Sequence, residues 1–319
     1  MGPDTSTTLE TPVLNQFFNE YVEAASQRLA GLQVLPLVNV PDRAGTLMVM
    51  KREAALKIDL DGSRAPGGTY NRVEWDFAQK TYSTDEFGFE WPIDAAEEAQ
   101  YSKYMEIRRN TTKLAIDHLL RLQEHRIIAE VFNATTFSGY TADVDSNEWN
   151  DPTNAAPKAN AETVIAAMLA NCGMKPTHVI MPETVFRNVM QCDEIVDVLK
   201  YTTPNLYMPW ETQRQMLSTY LGVEVIIGGS YYDAALEGSA ASLSAMWGTE
   251  YALWFVKSDG FGMPGIGWTV NWSDDSPANV NVEEYIENQT RGSVIRVRHH
   301  TQSNVFSAEY GYLTSNMTG

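Results

Sequence analysis

The sequence predicts an α+β fold, and three stretches of the chain carry that prediction. The first is the run between Pro92 and Gly139, which is free of glycine and proline and consists mostly of helix-favouring residues. The second is a pair of alternating apolar runs ahead of it, and the third is a succession of helical and strand-like segments between residues 161 and 257. A strand-rich section is therefore expected first, followed by one long helix and a compact α/β unit.

Composition and charge exclude several classes of protein. Hydrophobic residues make up 44% and charged residues 20% of the 319 residues, as in ordinary folded domains. The chain has 23 Lys+Arg against 41 Asp+Glu, a net charge of −18, which is the opposite sign to that of a protein that grips phosphates. A dedicated DNA-binding module is thereby excluded, whereas a container whose wall must not stick to DNA is not. No apolar run is long enough to span a membrane, so no membrane partner is expected.

Residues 1–50 are predicted to form an N-terminal arm. An amphipathic run with apolar residues at helical spacing covers residues 13–29. Pro36 and Pro41 interrupt helical structure after it, so residues 32–40 are expected to be extended. The segment 1–10 is polar and lacks the basic and apolar parts of a signal peptide, and we expect none there.

Residues 51–92 are predicted to form an extended β-hairpin loop. Apolar residues alternate with acidic residues or glycine in two short runs, 73–77 and 87–91. A period of two indicates a hairpin with one apolar face, formed by Val73, Trp75, Phe77, Phe87, Phe89 and Trp91. Residues 59–68 are rich in glycine and other turn-forming residues and are expected to lie at the tip of the loop.

A single helix is predicted from Asp94 to Phe132, with the Asp94 side chain capping its first turn. At 1.5 Å per residue it would be roughly 58 Å long, against a diameter of roughly 50 Å for a compact protein of this size. Charged residues within it exclude a membrane helix, and its irregular apolar spacing argues against a coiled coil. No internal repeat indicates a solenoid. The remaining interpretation is a helical spine across a plate-like subunit.

A compact α/β domain is predicted over residues 161–265. Its expected helices are 161–171, 183–191, 193–201 and 211–221, and its expected strands are 177–181, 223–227, 243–247 and 251–256. The last section, residues 266–319, is predicted to bring strands back to the long helix, at 267–272 and 293–299.

Titratable residues that could form a metal or nucleic-acid site are better explained by structural roles. His118 and His125 lie seven residues apart on a helix, without the HExxH spacing of zinc helices, so no metal site is predicted. Arg296, Arg298 and His300 would share one face of a strand, where we predict ion pairs within the subunit rather than contacts with nucleic acid.

Nucleophilic and acidic residues likewise give no catalytic prediction. Cys172 and Cys192 have no CxxC spacing and are predicted to be buried thiols, with a disulfide between them as the alternative. Paired carboxylates such as Glu97 and Glu98 arise by chance in an acidic chain, and a glycosidase needs two that face each other across a cleft. We therefore predict no catalytic residue, no bound cofactor and no metal ligand.

Several stretches of the sequence, taken in their order along the chain, resemble one family of proteins. Leu35-Pro-Leu-Val-Asn-Val-Pro is similar to its N-terminal arm, and Ser63-Arg-Ala-Pro-Gly-Gly-Thr-Tyr to the start of its extended loop. Thr177-His-Val-Ile-Met-Pro-Glu-Thr-Val-Phe and Leu221-Gly-Val-Glu-Val-Ile-Ile-Gly-Gly resemble strands and helices of its axial domain. With the order of elements, they resemble the major capsid proteins of tailed phages and related viruses, which have the Hong Kong 97-type capsid fold. The resemblance covers roughly residues 30–312.

The resemblance implies a division of the chain into five parts. They are an N-terminal arm, an extended loop, a peripheral domain with the spine helix, an axial domain, and return strands of the peripheral domain with the C-terminus, at residues 1–50, 51–92, 93–160, 161–265 and 266–319. It also implies contacts between subunits through the loop, for which the candidate residues are Arg64, Val73, Trp75, Phe77, Phe87 and Phe89.

The function that the resemblance implies is structural and not enzymatic. Such a subunit would assemble with copies of itself into the pentamers and hexamers of an icosahedral shell that encloses double-stranded DNA in a virion, after assembly in the host cytoplasm. Its expected partners are a scaffolding protein, a portal and, as an open alternative, a decoration protein; prior cleavage of a built-in scaffold is the alternative to a separate one. The competing hypotheses are an encapsulin-type nanocompartment shell and, more remotely, an acidic hydrolase.

Overall fold

The computed structural model describes most of the chain, in eleven ranges and three single residues. The ranges are 29–51, 63–64, 66–70, 77–101, 106–145, 147–202, 208–236, 238–258, 262–276, 278–289 and 291–318, and the single residues are 21, 56 and 260. Two of the six residues expected at subunit contacts, Val73 and Trp75, lie outside these ranges, as does most of the amphipathic run 13–29.

Seven helices occur in the described residues. In chain order, α1 to α7 are Gly31–Val34, Ala95–Tyr101, Ile107–Val131, Pro157–Cys172, Glu183–Val189, Asp193–Thr202 and Trp210–Leu221. The described strands β1 to β14 are Leu37–Val40, Ala44–Met50, Phe77–Ser83, Asp85–Asp94, Thr141–Asp143, His178–Pro182, Glu224–Gly228, Tyr231–Asp233, Leu243–Ala245, Ala252–Phe255, Gly267–Trp272, Asn281–Glu287, Gly292–Val305 and Gly311–Ser315.

The first sheet is organised around the long strand β13. β4 runs antiparallel along one of its edges, with Asp85 opposite Thr301 and Asp94 opposite Gly292. Strands β12 and β11 pair in succession with the other edge, and β1 adds in parallel to β11. Helix α3 packs across this sheet and forms an apolar cluster with it. The helix contributes Ala115, Ile116, Leu119 and Leu120, and the sheet contributes Val297, Phe87, Phe89 and Trp91.

The second sheet has the order β5-β14-β10-β6-β7 and contains parallel and antiparallel pairs. Helices α4, α5 and α7 pack against it, and its core contains large buried side chains, among them Phe137, Trp149, Phe186 and Trp254. The end of α3 also enters this core through Ile127 and Val131. One helix therefore contributes to the cores on both sheets.

The elements predicted between residues 161 and 257 are confirmed. Each of the four predicted helices and four predicted strands has a counterpart that differs by a few residues at its ends, and the strand expected at 243–247 is the short β9. Strands β5 and β14 lie outside the predicted α/β domain, and both extend its sheet, because β14 pairs with β10 and β5 pairs with β14. Strand pairing is a non-local choice that a local pattern does not specify.

The strand pairing predicted for the hairpin was wrong. An extended hairpin exists, but it joins β2 to β3, with Ala44 opposite Ser83 and Met50 opposite Phe77. The run 87–91 belongs to β4, whose partner is β13 and not the segment before it. Since β4 alternates in side-chain direction, its apolar side chains are free to bury against α3 once β13 supplies the hydrogen bonds.

The single helix predicted from Asp94 to Phe132 is divided. Asp94 does cap a helix, because its Oδ1 accepts a hydrogen bond from Ala96 N at 2.6 Å, but that helix is the short α2. Glu106, just before α3, has φ −80° and ψ 83°, which is not helical. No residue of α2 is buried, so packing does not stabilise it, whereas α3 spans 25 residues, or roughly 37 Å.

The arm that was expected to be extended begins with a helical turn, at residues 31–34. Strand β1 confirms the extended conformation predicted for the second half of the arm.

Gly228, at the end of β7, marks a close approach that the second core depends on. A Cβ at this position would lie 2.4 Å from Cγ of the buried Trp247, whereas a Cβ on the neighbouring Gly229 would meet only Glu183 Oε2, at 3.5 Å. Neither glycine has a positive φ, so the two positions differ in space and not in backbone strain.

We predict that Gly228→Ala lowers the free energy of unfolding by about 1–3 kcal/mol, because the added methyl group overpacks the core against Trp247. Gly229→Ala is the matched control and should change it by less than about 0.5 kcal/mol. Urea denaturation followed by tryptophan fluorescence measures both. Equal effects of the two substitutions would contradict the packing argument.

Candidate functional site

The tip of the β2–β3 hairpin carries an exposed arginine and tyrosine in contact with each other. The guanidinium carbon of Arg64 lies 4.7 Å from the centre of the Tyr70 ring, and Tyr70 is 71% exposed. Arginine and tyrosine are the residue types most enriched where protein interfaces derive their binding energy. Arg64 was predicted as a contact residue from the sequence and Tyr70 was not, because Tyr70 lies beyond the turn-rich residues 59–68 and no local signal marks it.

The body of the hairpin has one covered and one open face. Leu47, Val49 and Tyr82 are buried on the face that packs against the first sheet, in a cluster with Trp268 and Phe306. Met48 and Phe77 share the opposite face, because Met48 lies opposite Gln79, which is two residues from Phe77 on β3. Phe77 is 38% exposed and Met48 59% exposed. The hairpin therefore presents apolar surface along its open face as well as at its tip.

The structure places Phe87 and Phe89 in the subunit's own core and not at the hairpin. The Arg126 guanidinium carbon lies 3.6 Å from the centre of the Phe87 ring, and His299 packs edge-on against the same ring. The Phe89 ring lies 4.7 Å from that of His118 on α3. The prediction that these two side chains contact a neighbouring subunit rested on an uncovered hairpin face, and α3 covers that face in the same chain.

An ion-pair ladder crosses the outer face of the first sheet. Arg298 pairs with Asp275 and with Glu283, at 2.7 Å for Nη2–Oε1, and Arg296 pairs with Glu90 at 2.7 Å. His300 lies 3.3 Å from Asp275. These contacts confirm the prediction that the basic stripe of β13 is used within the subunit. The Asp275 hydrogen bond raises the pKa of Arg298 above its ordinary value, so this cation stays charged at any working pH.

Behind the ladder, β13 buries a histidine beside a cation. Arg126 Nη2 lies 2.8 Å from His299 Nε2. Burial lowers the pKa of His299 to about 3, and burial also lowers the pKa of Arg126 to about 10. His299 is therefore neutral at physiological pH and accepts the hydrogen bond that Arg126 donates. The pair ties the middle of α3 to β13.

The remaining histidines and the cysteines have the structural environments that the sequence predicted. His118 and His125 are exposed on α3. Both cysteines are buried free thiols, and burial raises the pKa of Cys192 to about 11, which makes it a poor nucleophile. In the described part of the chain, no group of three histidines, cysteines or carboxylates is arranged to hold a metal ion. The described helices include none that is long and apolar enough to cross a membrane.

A cavity of about 570 Å³ lies between α3 and the loops of the second sheet, and it contains two carboxylates. Asp117 and Glu183 both line it, beside Arg121 and Trp210. Both carboxylates have partners in the subunit, because Tyr21 donates a hydrogen bond to Asp117 and Arg187 forms an ion pair with Glu183.

The ladder leads to a prediction about Arg298. Replacing it with glutamine leaves the half-buried Asp275 and Glu283 facing each other without their shared cation, so Arg298→Gln should lower the free energy of unfolding by about 2 kcal/mol. Lys200→Gln is the control, because its partner Asp197 and Lys200 itself are both well exposed; such pairs contribute about 0.5 kcal/mol or less. Urea denaturation at low and high salt measures both, and an Arg298 effect as small as that of Lys200 would rule out a stabilising ladder.

The sequence itself matches no family model and no curated protein. Its structure is similar to solved structures across nearly its whole length. A phage-related protein from Bordetella bronchiseptica RB50 matches with a TM-score of 0.72 and 17% identity, covering 98% of both chains. The capsid of cyanophage P-SCSP1u matches with a TM-score of 0.55 and 10% identity, covering 88% of this chain and 85% of that one.

An encapsulin also shares this architecture. The SrpI encapsulin of Synechococcus elongatus PCC 7942 matches with a TM-score of 0.52 and 11% identity, covering 90% of this chain and 88% of that one. At these identities the similarity establishes the fold, and the predicted α+β capsid architecture is confirmed. The chain has the fold of phage capsid proteins, a shell-protein fold that encapsulins share.

Proposed function

We propose that this chain is the major capsid protein of a phage, and that it assembles into the pentamers and hexamers of an icosahedral shell around double-stranded DNA. The observation that carries the proposal is the match in fold to a phage-related protein over 98% of both chains. The role is structural, and the subunit is a component of the virion.

The distribution of buried and exposed surface supports assembly. The hairpin covers the first sheet with one face and exposes Met48 and Phe77 on the other, with Arg64 and Tyr70 at the tip. A shell of rings is built from heterologous contacts, in which one surface of a subunit binds a different surface of the next. A hairpin with an exposed apolar face, and with arginine and tyrosine exposed in the loop between its strands, suits such a contact.

We assign the contact between subunits to Arg64 and Phe77 of the original candidates, together with Tyr70. Val73 and Trp75 continue the alternation that ends at Phe77, and they are assigned to the same contact on their sequence pattern. Phe87 and Phe89 are not part of it, because α3 covers them. The net charge of −18 suits a wall that encloses DNA without binding it, since like charges repel at short range.

The remaining parts of the proposal concern partners and location. Assembly in the host cytoplasm with a scaffolding protein and a portal follows from the proposed role in a phage shell, and a decoration protein is compatible with it. An encapsulin-type shell is the second candidate, favoured by the fold match to the Synechococcus elongatus protein. An acidic hydrolase is the remote third, and the partnered states of Asp117 and Glu183 argue against it.

Electron microscopy of the purified full-length protein, combined with analysis of what the particles contain, tests the proposal. Icosahedral particles that acquire nuclease-protected double-stranded DNA in the presence of phage packaging functions support a capsid. Particles that enclose a specific protein cargo and no DNA favour the encapsulin alternative. A protein that stays monomeric at high concentration and turns over a substrate would overturn both.

We predict that the double substitution Arg64→Ala with Tyr70→Ala reduces particle yield at least about tenfold, because each hot-spot side chain contributes about 1–2 kcal/mol and the contact recurs at every subunit. Both side chains are exposed, so the free energy of unfolding should change by less than about 0.5 kcal/mol. Lys200→Ala, on the exposed surface of α6, is the control for the loss of a cation. Size-exclusion chromatography and microscopy measure the yield, and normal particle formation would contradict the assignment of the tip.

We also predict that replacing residues 51–76 by Asn-Gly, which joins the paired ends of β2 and β3 by a two-residue turn, abolishes particles while the second sheet stays folded. The covered face of the hairpin stays packed on the first sheet in this variant. The variant should therefore still unfold cooperatively on heating when the unfolding is followed by circular dichroism. Intact shells from this deletion would show that the extended loop is dispensable for assembly.

A further inference from the structure

Helix α3 changes environment along its length, and a carboxylate stands at the point of change. Residues up to Leu120 pack in the core of the first sheet, and Ile127 and Val131 pack in the core of the second. Glu124 lies between them and is only 2% exposed. A buried carboxylate in an apolar setting costs folding free energy unless it is paired or protonated, so its position in the helix calls for a physical account.

Three separate segments of the chain meet at this side chain. Trp247, in the loop after β9, donates a hydrogen bond from Nε1 to Glu124 Oε1 at 2.8 Å. The backbone N–H of Ala30 donates to the same oxygen at 3.2 Å, and a Cβ on Gly31 would lie 3.4 Å from Glu124 Cγ. One carboxylate oxygen therefore joins α3 to the segment that leads into α1 and to the second-sheet unit. The other oxygen, Oε2, is buried without a hydrogen-bond partner at normal distance.

The groups that face Glu124 are polar and uncharged. From the second-sheet unit they are Trp247 and Ser230, and from the N-terminal segment they are the backbone amides of Ala30 and Gly31. The charged residues that line the adjoining cavity are Asp117 and Arg121, on α3, and Glu183, on the second-sheet unit. The titratable Tyr231 also lines this cavity. On the side of the first sheet, the neighbouring Gln123 exchanges two hydrogen bonds with the Asn279 side chain, at 3.2 and 3.0 Å.

Burial raises the pKa of Glu124, and the hydrogen bonds from Trp247, Ser230 and the two backbone amides oppose that rise only in part. Protonation on Oε2 removes the buried charge, and Oε1 still accepts both N–H groups. The ionised carboxylate leaves an uncompensated charge between two apolar cores. The stabilising effect of protonation is complete below the ordinary pKa of a glutamic acid, and it is lost as pH rises through the raised value.

We propose that Glu124 is a proton-controlled latch, which fixes the N-terminal segment 29–35 and the second-sheet unit to helix α3 when it is protonated and loosens both when it is ionised. The latch is a property of the single subunit and does not depend on the proposed function. In a shell, it would make the relative position of the two sheets sensitive to pH, because α3 is common to both cores.

The test compares the full-length protein with Glu124→Gln and with the control Glu130→Gln, a partly exposed carboxylate one and a half turns further along α3. Glutamine keeps the acceptor oxygen and cannot ionise. Hydrogen exchange of the peptide that covers residues 29–35, read by mass spectrometry, is compared between variant and parent at the same pH, which cancels the intrinsic pH dependence of exchange.

At pH 9, Glu124→Gln should exchange more slowly than the parent in this peptide, by about tenfold for each unit by which the pKa of Glu124 is raised. At pH 5, which is closer to the ordinary pKa of a glutamic acid, the difference should be smaller, and Glu130→Gln should equal the parent at both values. A ratio between Glu124→Gln and the parent that stays the same from pH 5 to pH 9 would overturn the proposal and leave Glu124 as a hydrogen-bond acceptor only.

A second variant keeps the proposal testable where Glu124→Gln lowers stability at every pH. Trp247→Phe retains an aromatic ring and removes the N–H that favours the ionised carboxylate. The midpoint of the pH-dependent loss of protection should therefore move to higher pH in this variant than in the parent. An unchanged or lower midpoint would contradict the latch, whatever the effect of the substitution on overall stability.

Discussion

The burial of both ends of helix α3 in different cores is the constraint on which the rest of the subunit depends. Residues around Ile116 belong to the core on the first sheet, and those around Ile127 belong to the core on the second. Because the helix is a rigid rod, it fixes the distance and angle between the two sheets. The polar side chains Gln123 and Glu124 mark the boundary between the cores, and both are bonded to the parts that the helix joins.

Strand β13 is the counterpart of α3 in the first sheet. Its apolar face packs on the helix through Val297, and its charged face forms the ladder of Arg296 and Arg298 with neighbouring carboxylates. The alternation of a β-strand separates these two roles without any other device. The β2–β3 hairpin exposes apolar surface at Met48 and Phe77, and it is there that the proposed contact between subunits lies.

The candidate contact could be predicted from the sequence only where local composition was sufficient. Arg64 lies in a turn-rich segment, and an exposed position followed from that composition. Phe87 and Phe89 had the same alternating pattern as the run that ends at Phe77, but they are covered by α3, and the pattern is identical for an apolar face that meets a partner and one that meets the same chain. Tyr70 and Glu124 gave no local signal, because their roles come from what lies opposite them in space.

The sequence by itself determined the class of fold, the order of elements, and nearly every helix and strand between residues 161 and 257, because side-chain periodicity and glycine and proline positions are local properties. It also determined that the basic stripe on β13 would be paired within an acidic chain. Only the tertiary structure decided which strands pair, where the long helix is interrupted, and which apolar faces remain open. Those outcomes depend on contacts between residues far apart in the chain, such as Asp85 with Thr301 or Glu124 with Trp247, which no local pattern encodes.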